Sequence, residues 1–495
     1  MATPFRKRKE DFQINWVPIL TIVALAFIFS FQASNDLLIK GNKLADSSVF
    51  QYVARVIKAG GMPYRDTFDH KGPLLYLINF LGIKIAEWRG IWVLELAAIF
   101  FTFFFIYRIA QIYTDQKASL AVLLIATSLL FSFFDGGNLT EEYAMPFIAA
   151  SLYIFIDYFV TSYVNTFRLI LCGFSFSAIL MLRPNMCGTW LVLCVGVAIT
   201  CIRSKDIKSL GRFITWFLFG MLLLLVPILL WLSVNDALKA CWDDYILFNL
   251  NYSSNEVRAS LTNRINALTF FLDRGVIWVS LICLCVLPQK TFFDILYLVY
   301  LGISLLLLCI SGRSYGHYGM ILIPALAYPL ARTADWLKER LHGVNGNAIS
   351  TIFILYLVVT FAASPWLNGI QNVVLEYDKR GVYFGQRELE TVSLVQSHST
   401  ENDQIIVLGN WNIIYNLSNR FAASRFSYQM PPLTIDEDRA KVFYQEIEEN
   451  EPQIIVMPQN AWFAHDWMLQ YIEENGYYVV GTTTDGAITV YSRND

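Results

Sequence analysis

Charged side chains are scarce in this sequence, and their scarcity argues against a soluble fold. Asp, Glu, Lys and Arg together make up 16% of the 495 residues, whereas soluble proteins usually carry about 25%. The net charge is −3, so the chain has no basic excess of the kind that accompanies nucleic-acid binding. Hydrophobic residues reach 56%. This composition predicts a chain that lies mostly within a lipid bilayer.

Metal-binding patterns and a cleavable leader are also missing from the sequence. No CxxC pair and no Cys/His cluster accompanies the eight cysteines, so a structural zinc site is not expected. The first apolar run has no small-residue cleavage motif at its end. We therefore expect it to be a first membrane helix whose N-terminus is cytoplasmic, because basic residues precede it: Arg6, Lys7, Arg8 and Lys9.

Long apolar runs dominate what the sequence does contain. A membrane-spanning helix needs about 20 mostly apolar residues. About eleven runs approach that length: 14–33, 91–111, 118–134, 142–160, 167–182, 186–202, 213–233, 271–287, 292–311, 318–333 and 349–366. One further run, 73–86, is shorter and contains Asn79 and Lys84. We expect that run to lie at the membrane interface without crossing the bilayer.

The placement of basic residues supports this choice of eleven spans. If 73–86 does not cross the membrane, the short basic loops, such as Arg203 to Arg212, all lie on the cytoplasmic side. A twelfth span would move every later loop to the opposite side of the membrane, and the basic loops would then lie outside. The same topology gathers the unusual polar segments on the outer face: 34–90, 138–142, 183–185, 234–270 and 311–318.

The pattern changes to α/β after about residue 400. The short apolar runs 405–408 and 454–457 predict buried strands, and 434–449 predicts a helix. The runs 477–480 and 487–491 predict a final pair of strands joined by a turn. The sequence thus predicts a polytopic α-helical membrane protein with two parts. These are a membrane domain, 1–370, with a large first outer loop, 34–90, and a soluble extracytoplasmic α/β domain, 371–495.

Two motifs in the first outer loop contain charged side chains that could take part in catalysis or substrate binding. Asp46 follows the first span, and the segment Asp66-Thr67-Phe68-Asp69-His70-Lys71-Gly72-Pro73-Leu74 precedes the interfacial run. Charged residues at bilayer depth are costly and usually serve a function. The alternative is that they are ordinary charged loop residues beside lipid headgroups.

The order of these motifs resembles the GT-C class of membrane glycosyltransferases. The likeness is greatest to the bacterial branch related to protein mannosyltransferases and lipid A aminoarabinose transferases. Asp46 matches the acid of that branch's first outer loop, and His70 to Leu74 match its HKGPL element. Thr140-Glu141-Glu142 resembles a TE element, and Arg313 with His317-Tyr318 resembles a late R…HY element. Many relatives have a second acid where this chain has Ser47.

The resemblance implies an enzyme that transfers a sugar from a polyprenyl-phosphate carrier to a cell-envelope glycan or lipid. Transfer would take place on the outer face of a bacterial plasma membrane, with inversion. Asp46 is the expected general base, and Asp69 is the second catalytic candidate. The expected substrate-binding residues are His70, Lys71, Glu141, Arg183, Arg313, His317 and Tyr318. Membrane lipids are expected partners, nucleic acid is not, and a divalent cation stays open as a cofactor.

Other interpretations of these residues and of the whole chain stay open. Arg183 and Arg313 could bind lipid headgroups, and Glu141 could be a solvated turn residue. A transporter or flippase of lipid-linked glycans is the alternative function, although such proteins often have two similar halves and the sequence shows no internal repeat. A polymerase of lipid-linked glycans is a third class, and its members commonly lack a separate C-terminal α/β domain.

Cysteine-accessibility labelling tests the predicted topology. In a background without the native cysteines, Asp206→Cys should be protected from an impermeant thiol reagent applied outside, because its loop is basic and cytoplasmic. Leu250→Cys and Met430→Cys should react with the same reagent. Labelling that places position 430 in the cytoplasm would contradict the eleven-span topology.

Overall fold

The computed structural model describes residues 16–36, 45–254, 260–340, 346–379, 385–459, 461 and 463–494. The basic residues 6–9 therefore lie outside the described part. The first ten helices are α1 Trp16–Ser30, α2 Ala45–Lys58, α3 Pro73–Tyr113, α4 Gln116–Ser128, α5 Thr140–Thr161, α6 Thr166–Leu182, α7 Gly188–Arg203, α8 Ile207–Val234, α9 Leu238–Cys241 and α10 Phe248–Ser254. The next six are α11 Leu261–Asp273, α12 Val276–Cys285, α13 Phe292–Cys309, α14 Ala327–Arg340, α15 Gly346–Val358 and α16 Ser364–Lys379.

Five helical stretches in the described residues are long and apolar enough to cross a membrane, which makes the chain a multi-pass membrane protein. They are Pro73–Tyr113, Thr140–Thr161, Ile207–Val234, Phe292–Cys309 and Thr351–Leu375. The pair α11 and α12, bent by 63°, would add a sixth. Four further predicted runs form shorter apolar helices: Trp16–Ser30, Gln116–Ser132, Thr166–Leu182 and Gly188–Arg203. The number of eleven spans stays a prediction.

The predicted span 318–333 is not one regular helix. It begins with two 3₁₀ turns, Gly316–Leu322 and Pro324–Leu326, and continues into α14. Pro324 has no N–H to donate to the helix ladder. Gly319 lies so close to Phe133 that an added Cβ would be 2.2 Å from the ring. Irregular backbone is tolerated at membrane depth where it is buried in protein, and residues 318–329 are all buried here.

The interfacial run 73–86 folds back against the helix that follows it. The backbone of α3 leaves helical geometry at Ala86 and Glu87, and Glu87 has φ 52°. In a straight helix, Gly82 and Gly90 would be about 12 Å apart. Here a Cβ added to Gly90 would lie 2.0 Å from the carbonyl oxygen of Gly82. The first half of α3 is therefore separate from the long apolar half, and its assignment as a non-spanning segment stays a prediction.

Substitution of Gly90 tests this hairpin. Gly90→Ala forces a methyl group against the Gly82 carbonyl, so the melting temperature in detergent should fall, with a free-energy cost of about 1–3 kcal/mol. Gly211→Ala in α8 is the matched control, because nothing lies within 4 Å of its added Cβ. Equal melting temperatures for the two variants would contradict the close approach of Gly82 and Gly90.

The C-terminal part is a five-stranded mixed sheet covered by helices on both faces. Its helices are α17 Gln386–Ser397, α18 Asn412–Ser418, α19 Glu437–Asn450 and α20 His465–Glu474, and its strands are β1 Gln404–Val407, β2 Phe421–Ala422, β3 Ile454–Pro458, β4 Tyr478–Thr482 and β5 Ile488–Ser492. The strand order is β2-β1-β3-β5-β4. Strands β2, β1 and β3 are parallel, whereas β5 pairs antiparallel with β3 and β4. The four predicted strands and the predicted helix are all present, within a few residues of their expected bounds.

Helix α2 of the first outer loop joins the core of this sheet domain. Tyr52 and Val56 pack with residues of α17, α18 and the strands. The Tyr52 hydroxyl accepts a hydrogen bond of 2.8 Å from the backbone N–H of Ala422. Asn416 donates to the Ser48 carbonyl at 2.9 Å. The sheet domain is thus fastened to the first outer loop through buried contacts.

Candidate active site

The HKGP segment is held against the end of α6 by a contact that only glycine permits. The backbone N–H of Gly72 donates to the Leu182 carbonyl at 3.1 Å. A Cβ at Gly72 would lie 2.0 Å from the Met181 carbonyl oxygen. Pro73 then begins α3, a position where its missing N–H costs nothing. This contact brings His70 and Lys71 to the end of α6, where Arg183 follows.

Tyrosines fix the backbone on which Lys71 lies. The Tyr64 hydroxyl donates to the Lys71 carbonyl at 2.7 Å, and the Tyr76 hydroxyl oxygen lies 3.1 Å from the same carbonyl. The Lys71 N–H donates to the Tyr76 hydroxyl at 3.0 Å. The ammonium group itself has no hydrogen-bond partner among the described residues, so it is available to a ligand.

Asp69 is buried, and both of its carboxylate oxygens are occupied. Tyr76 donates to Oδ2 at 2.8 Å and Tyr428 donates to Oδ1 at 2.7 Å. Burial raises the pKa of Asp69 above its ordinary value, although Lys71 and the two tyrosines oppose that shift. Asp69 therefore links the first outer loop to the C-terminal domain. Asp69 is only 3% exposed, so it is less accessible to a substrate hydroxyl than the exposed Asp46.

The ring of His70 is neutral and fixed in orientation. Burial, together with the positive charge of Lys71, lowers the pKa of His70 well below its usual value. With the Nδ1 atom donating, the ring bonds the Asn249 side-chain oxygen at 3.0 Å, and Asn249 donates back to the His70 carbonyl at 2.7 Å. In that tautomer Nε2 carries a lone pair, which can accept a hydrogen bond from a hydroxyl group.

These groups surround a cavity of about 390 Å³. Seven of the nine residues predicted from the sequence line it: Asp46, Asp69, His70, Lys71, Arg313, His317 and Tyr318. Asp46, at the start of α2, is exposed. The Arg313 guanidinium is held by the hydroxyls of Tyr252 and Tyr315 and lies 4.2 Å from the centroid of the Tyr252 ring. The cavity thus combines an accessible carboxylate with the cations Lys71 and Arg313.

Glu141 and Arg183 lie behind the cavity wall and do not line it. They form a salt bridge of 2.5 Å, in which Glu141 is only 2% exposed. The Arg183 guanidinium stacks on the ring of Tyr318 at 3.8 Å from its centroid. Glu141 and Glu142 are both buried, so the interpretation of these residues as solvated turn residues is wrong. The pair supports Tyr318, which faces the cavity.

Several cavity residues were missed by the sequence reasoning. Asp135 and Leu139 come from the segment before α5, Tyr252 comes from α10, and Tyr315 comes from the segment after α13. Asn410, Tyr428, Met430 and Pro431 come from the C-terminal domain. Asp135 was detectable, because it lies with Gly136 and Gly137 in the short connection between the predicted spans 118–134 and 142–160. It lies 3.4 Å from the His317 ring nitrogen.

The described residues do not assemble a metal site. No group of three or more His, Cys, Asp or Glu side chains among them is arranged to hold an ion. Asp46, Asp135 and His317 all line the cavity without forming such a group. Among the described residues, a divalent cation therefore has no set of protein ligands.

The C-terminal domain covers the cavity and is held there by two ion pairs that share Asp244, which we call the clamp. Asp244, which is 3% exposed, bonds both Arg425 and Arg439 of that domain. The Arg439 guanidinium also lies over the rings of Phe68 and Phe248, at 4.9 and 5.0 Å from their centroids. The clamp fixes the segment that carries Tyr428 over the first outer loop.

Solved structures share the fold of this chain over nearly its whole length. ArnT from Cupriavidus metallidurans bound to undecaprenyl phosphate superimposes with a TM-score of 0.65 at 13% identity, over 97% of this chain and 98% of that one. The oligosaccharyltransferase AglB from Archaeoglobus fulgidus, in complex with an inhibitory peptide and a dolichol-phosphate, gives 0.50 at 12% identity, over 96% and 74%. ArnT, a lipid A aminoarabinose transferase, and AglB are both GT-C glycosyltransferases. The fold of this chain is therefore the GT-C fold.

The sequence itself matches one family model. The model described as the N-terminal domain of the putative competence-induced protein Ccs4 covers residues 7–346, and the chain belongs to this family. No curated protein matches the sequence significantly.

Removal of the clamp carboxylate tests how the cavity is covered. Asp244→Ala leaves two arginines without their counter-charge, so the protein should lose about 2–5 kcal/mol of stability, seen as a lower melting temperature. Asp438→Ala is the control, since it breaks an ion pair with Lys441 that is exposed on both sides. Equal small effects from the two variants would show that Asp244 is not a clamp.

Proposed function

We propose that this protein is a glycosyltransferase that moves a sugar from a polyprenyl-phosphate carrier to an envelope glycan or lipid. The observation that carries the proposal is the cavity in which an exposed carboxylate, Asp46, faces the cations Lys71 and Arg313. A phosphate leaving group needs cations, and an acceptor hydroxyl needs a base. The GT-C fold and its lipid-phosphate-bound neighbours support the same assignment.

In this mechanism Asp46 acts as the general base. It removes the proton of the acceptor hydroxyl while that oxygen attacks the anomeric carbon of the donor. The bond between that carbon and the phosphate oxygen breaks, and the electron pair leaves with the lipid phosphate. A single in-line displacement inverts the anomeric centre. Asp69 is a positioning residue in this scheme, because its oxygens are bonded to two tyrosines.

Arg313 and Lys71 stabilise the negative charge that develops on the phosphate. Arg313 can donate two parallel hydrogen bonds to phosphate oxygens, and its two tyrosine partners keep the guanidinium in place. His70 accepts a hydrogen bond from a sugar hydroxyl through Nε2. Tyr318 and His317 form the opposite wall of the cavity. Arg183 and Glu141 act indirectly, by supporting Tyr318.

Orientation follows from the predicted topology. The cavity lies among segments assigned to the outer face, so transfer takes place outside the cytoplasm, beneath the C-terminal domain. We place the protein in a bacterial plasma membrane with about eleven spans. A flippase is less well supported, because such proteins often have two similar halves and the sequence shows no internal repeat.

Replacement of the two carboxylates tests the base. Asp46→Asn keeps the shape of the side chain but cannot accept a proton, so transfer should fall by about 10²–10⁴-fold. The measurement is mass analysis of envelope glycans and lipids in a deletion strain that carries each variant. Asp69→Asn is the comparison, and it should lower stability as well as activity. If the Asp46→Asn variant transfers sugar normally and the Asp69→Asn variant is folded but inactive, the general base is Asp69 and not Asp46.

Replacement of Arg313 tests the donor site. Arg313→Lys keeps the charge but loses the planar fork, whereas Arg313→Ala loses both. Donor use should therefore fall in the order wild type, Arg313→Lys, Arg313→Ala, with the larger effect on the apparent donor affinity. Arg387→Lys and Arg387→Ala are controls at an exposed arginine of the C-terminal domain. If all three forms at position 313 transfer equally, Arg313 does not contact the phosphate.

A further inference from the structure

A second cavity of about 840 Å³ lies on the other side of α2. At 3.6 residues per turn, Asp46, Val49 and Phe50 occupy one face of α2, and they line the candidate active site. Gln51, Arg55 and Lys58 occupy a face about half a turn away, and they line the second cavity. The two cavities are therefore separated by the body of one helix.

The second cavity is lined by more cations than carboxylates. Arg55, Lys58 and Arg89 face one carboxylate, Glu87. In the part of the chain that the structure describes, none of these three cations forms a salt bridge. A cleft lined mainly by one sign of charge attracts ions of the opposite sign, so this excess favours an anion as the occupant.

Hydrogen bonds to the C-terminal domain hold the Arg55 side chain in place. Its guanidinium donates to the Tyr415 carbonyl at 2.7 Å and to the side-chain oxygens of Asn416 and Asn419 at 3.3 and 2.8 Å. It also lies 5.1 Å from the centroid of the Phe421 ring. All of these partners are uncharged, so the positive charge is fixed in place without being neutralised.

The position of the cavity indicates where the anion comes from. Its far wall is the turn of the α3 hairpin, from Ala86 to Arg89. That turn directly precedes Ile91, the outer end of a predicted span. Trp88 lies there with the Arg89 guanidinium 5.1 Å from its ring centroid. Tryptophan and basic residues are typical of the headgroup level of a membrane.

We propose that this cavity binds the anionic phosphate headgroup of a membrane lipid, distinct from the lipid carrier of the candidate active site. The headgroup phosphate pairs with Arg55, Lys58 and Arg89, and its acyl chains follow the outer surface of α3. Because Arg55 also holds α18, a bound headgroup fastens the C-terminal domain to the membrane surface. The proposal does not depend on the transfer reaction.

Native mass spectrometry of the full-length protein in a neutral detergent tests this site, with phosphatidylglycerol and phosphatidylcholine as probes. The wild type should retain phosphatidylglycerol in preference to phosphatidylcholine. Lys58→Gln/Arg89→Gln should bind phosphatidylglycerol at least about tenfold more weakly, since each basic residue near a membrane surface contributes about 1 kcal/mol. Both side chains are exposed, so the variant should keep its melting temperature.

The double variant Arg387→Gln/Lys441→Gln is the matched control, because it removes the same charge from the surface of the C-terminal domain. Its phosphatidylglycerol binding should equal that of the wild type. Equal losses in the two double variants, or equal binding of the two lipids by the wild type, would overturn the site. Displacement of the bound lipid by inorganic phosphate alone would overturn the assignment to a lipid headgroup.

Discussion

The contact between Gly72 and the end of α6 is the constraint on which the candidate site depends. It allows the first outer loop to lie directly on the Met181 and Leu182 carbonyls. His70 and Lys71 are thereby placed next to Arg183, although they are more than a hundred residues apart in the chain. Any side chain at position 72 would push this loop away from the membrane domain. The same loop bonds the C-terminal domain through the Phe68 N–H and the Arg425 carbonyl, at 2.7 Å.

Helix α2 joins both cavities to the C-terminal domain. It supplies Asp46 to one cavity and Arg55 to the other, and between them Tyr52 enters the core of the sheet domain. A buried amide and hydroxyl network then ties α2 to the membrane helices. Asn138 donates to Ser47 at 2.7 Å and to the Asn79 oxygen at 2.9 Å. Movement of α2 would therefore change the shape of both cavities and the packing of the C-terminal domain against this helix.

Much of this arrangement could be predicted from the sequence, for physical reasons that differ between its parts. The strands at 405–408 and 454–457 were predictable because buried parallel strands are continuous apolar runs. The strand β2 has only two residues, which are too few to show the hydrophobic periodicity from which a strand is predicted. Asp46, Lys71 and Arg313 were recognised through the order of motifs along the chain. Tyr428 bonds Asp69 from 359 residues away, and no local pattern reports such a contact. The supporting role of Arg183 was also hidden, because its stacking on Tyr318 exists only in the folded protein.

The proposed function requires that the cavity beside Asp46 holds the phosphate of a polyprenyl carrier. A cryo-electron microscopy structure of the full-length protein with undecaprenyl phosphate would show whether it does. We expect phosphate density within hydrogen-bonding distance of Arg313 and Lys71, with the prenyl chain leaving toward the membrane. Density for the phosphate in the cavity beside Arg55, or in neither cavity, would contradict it.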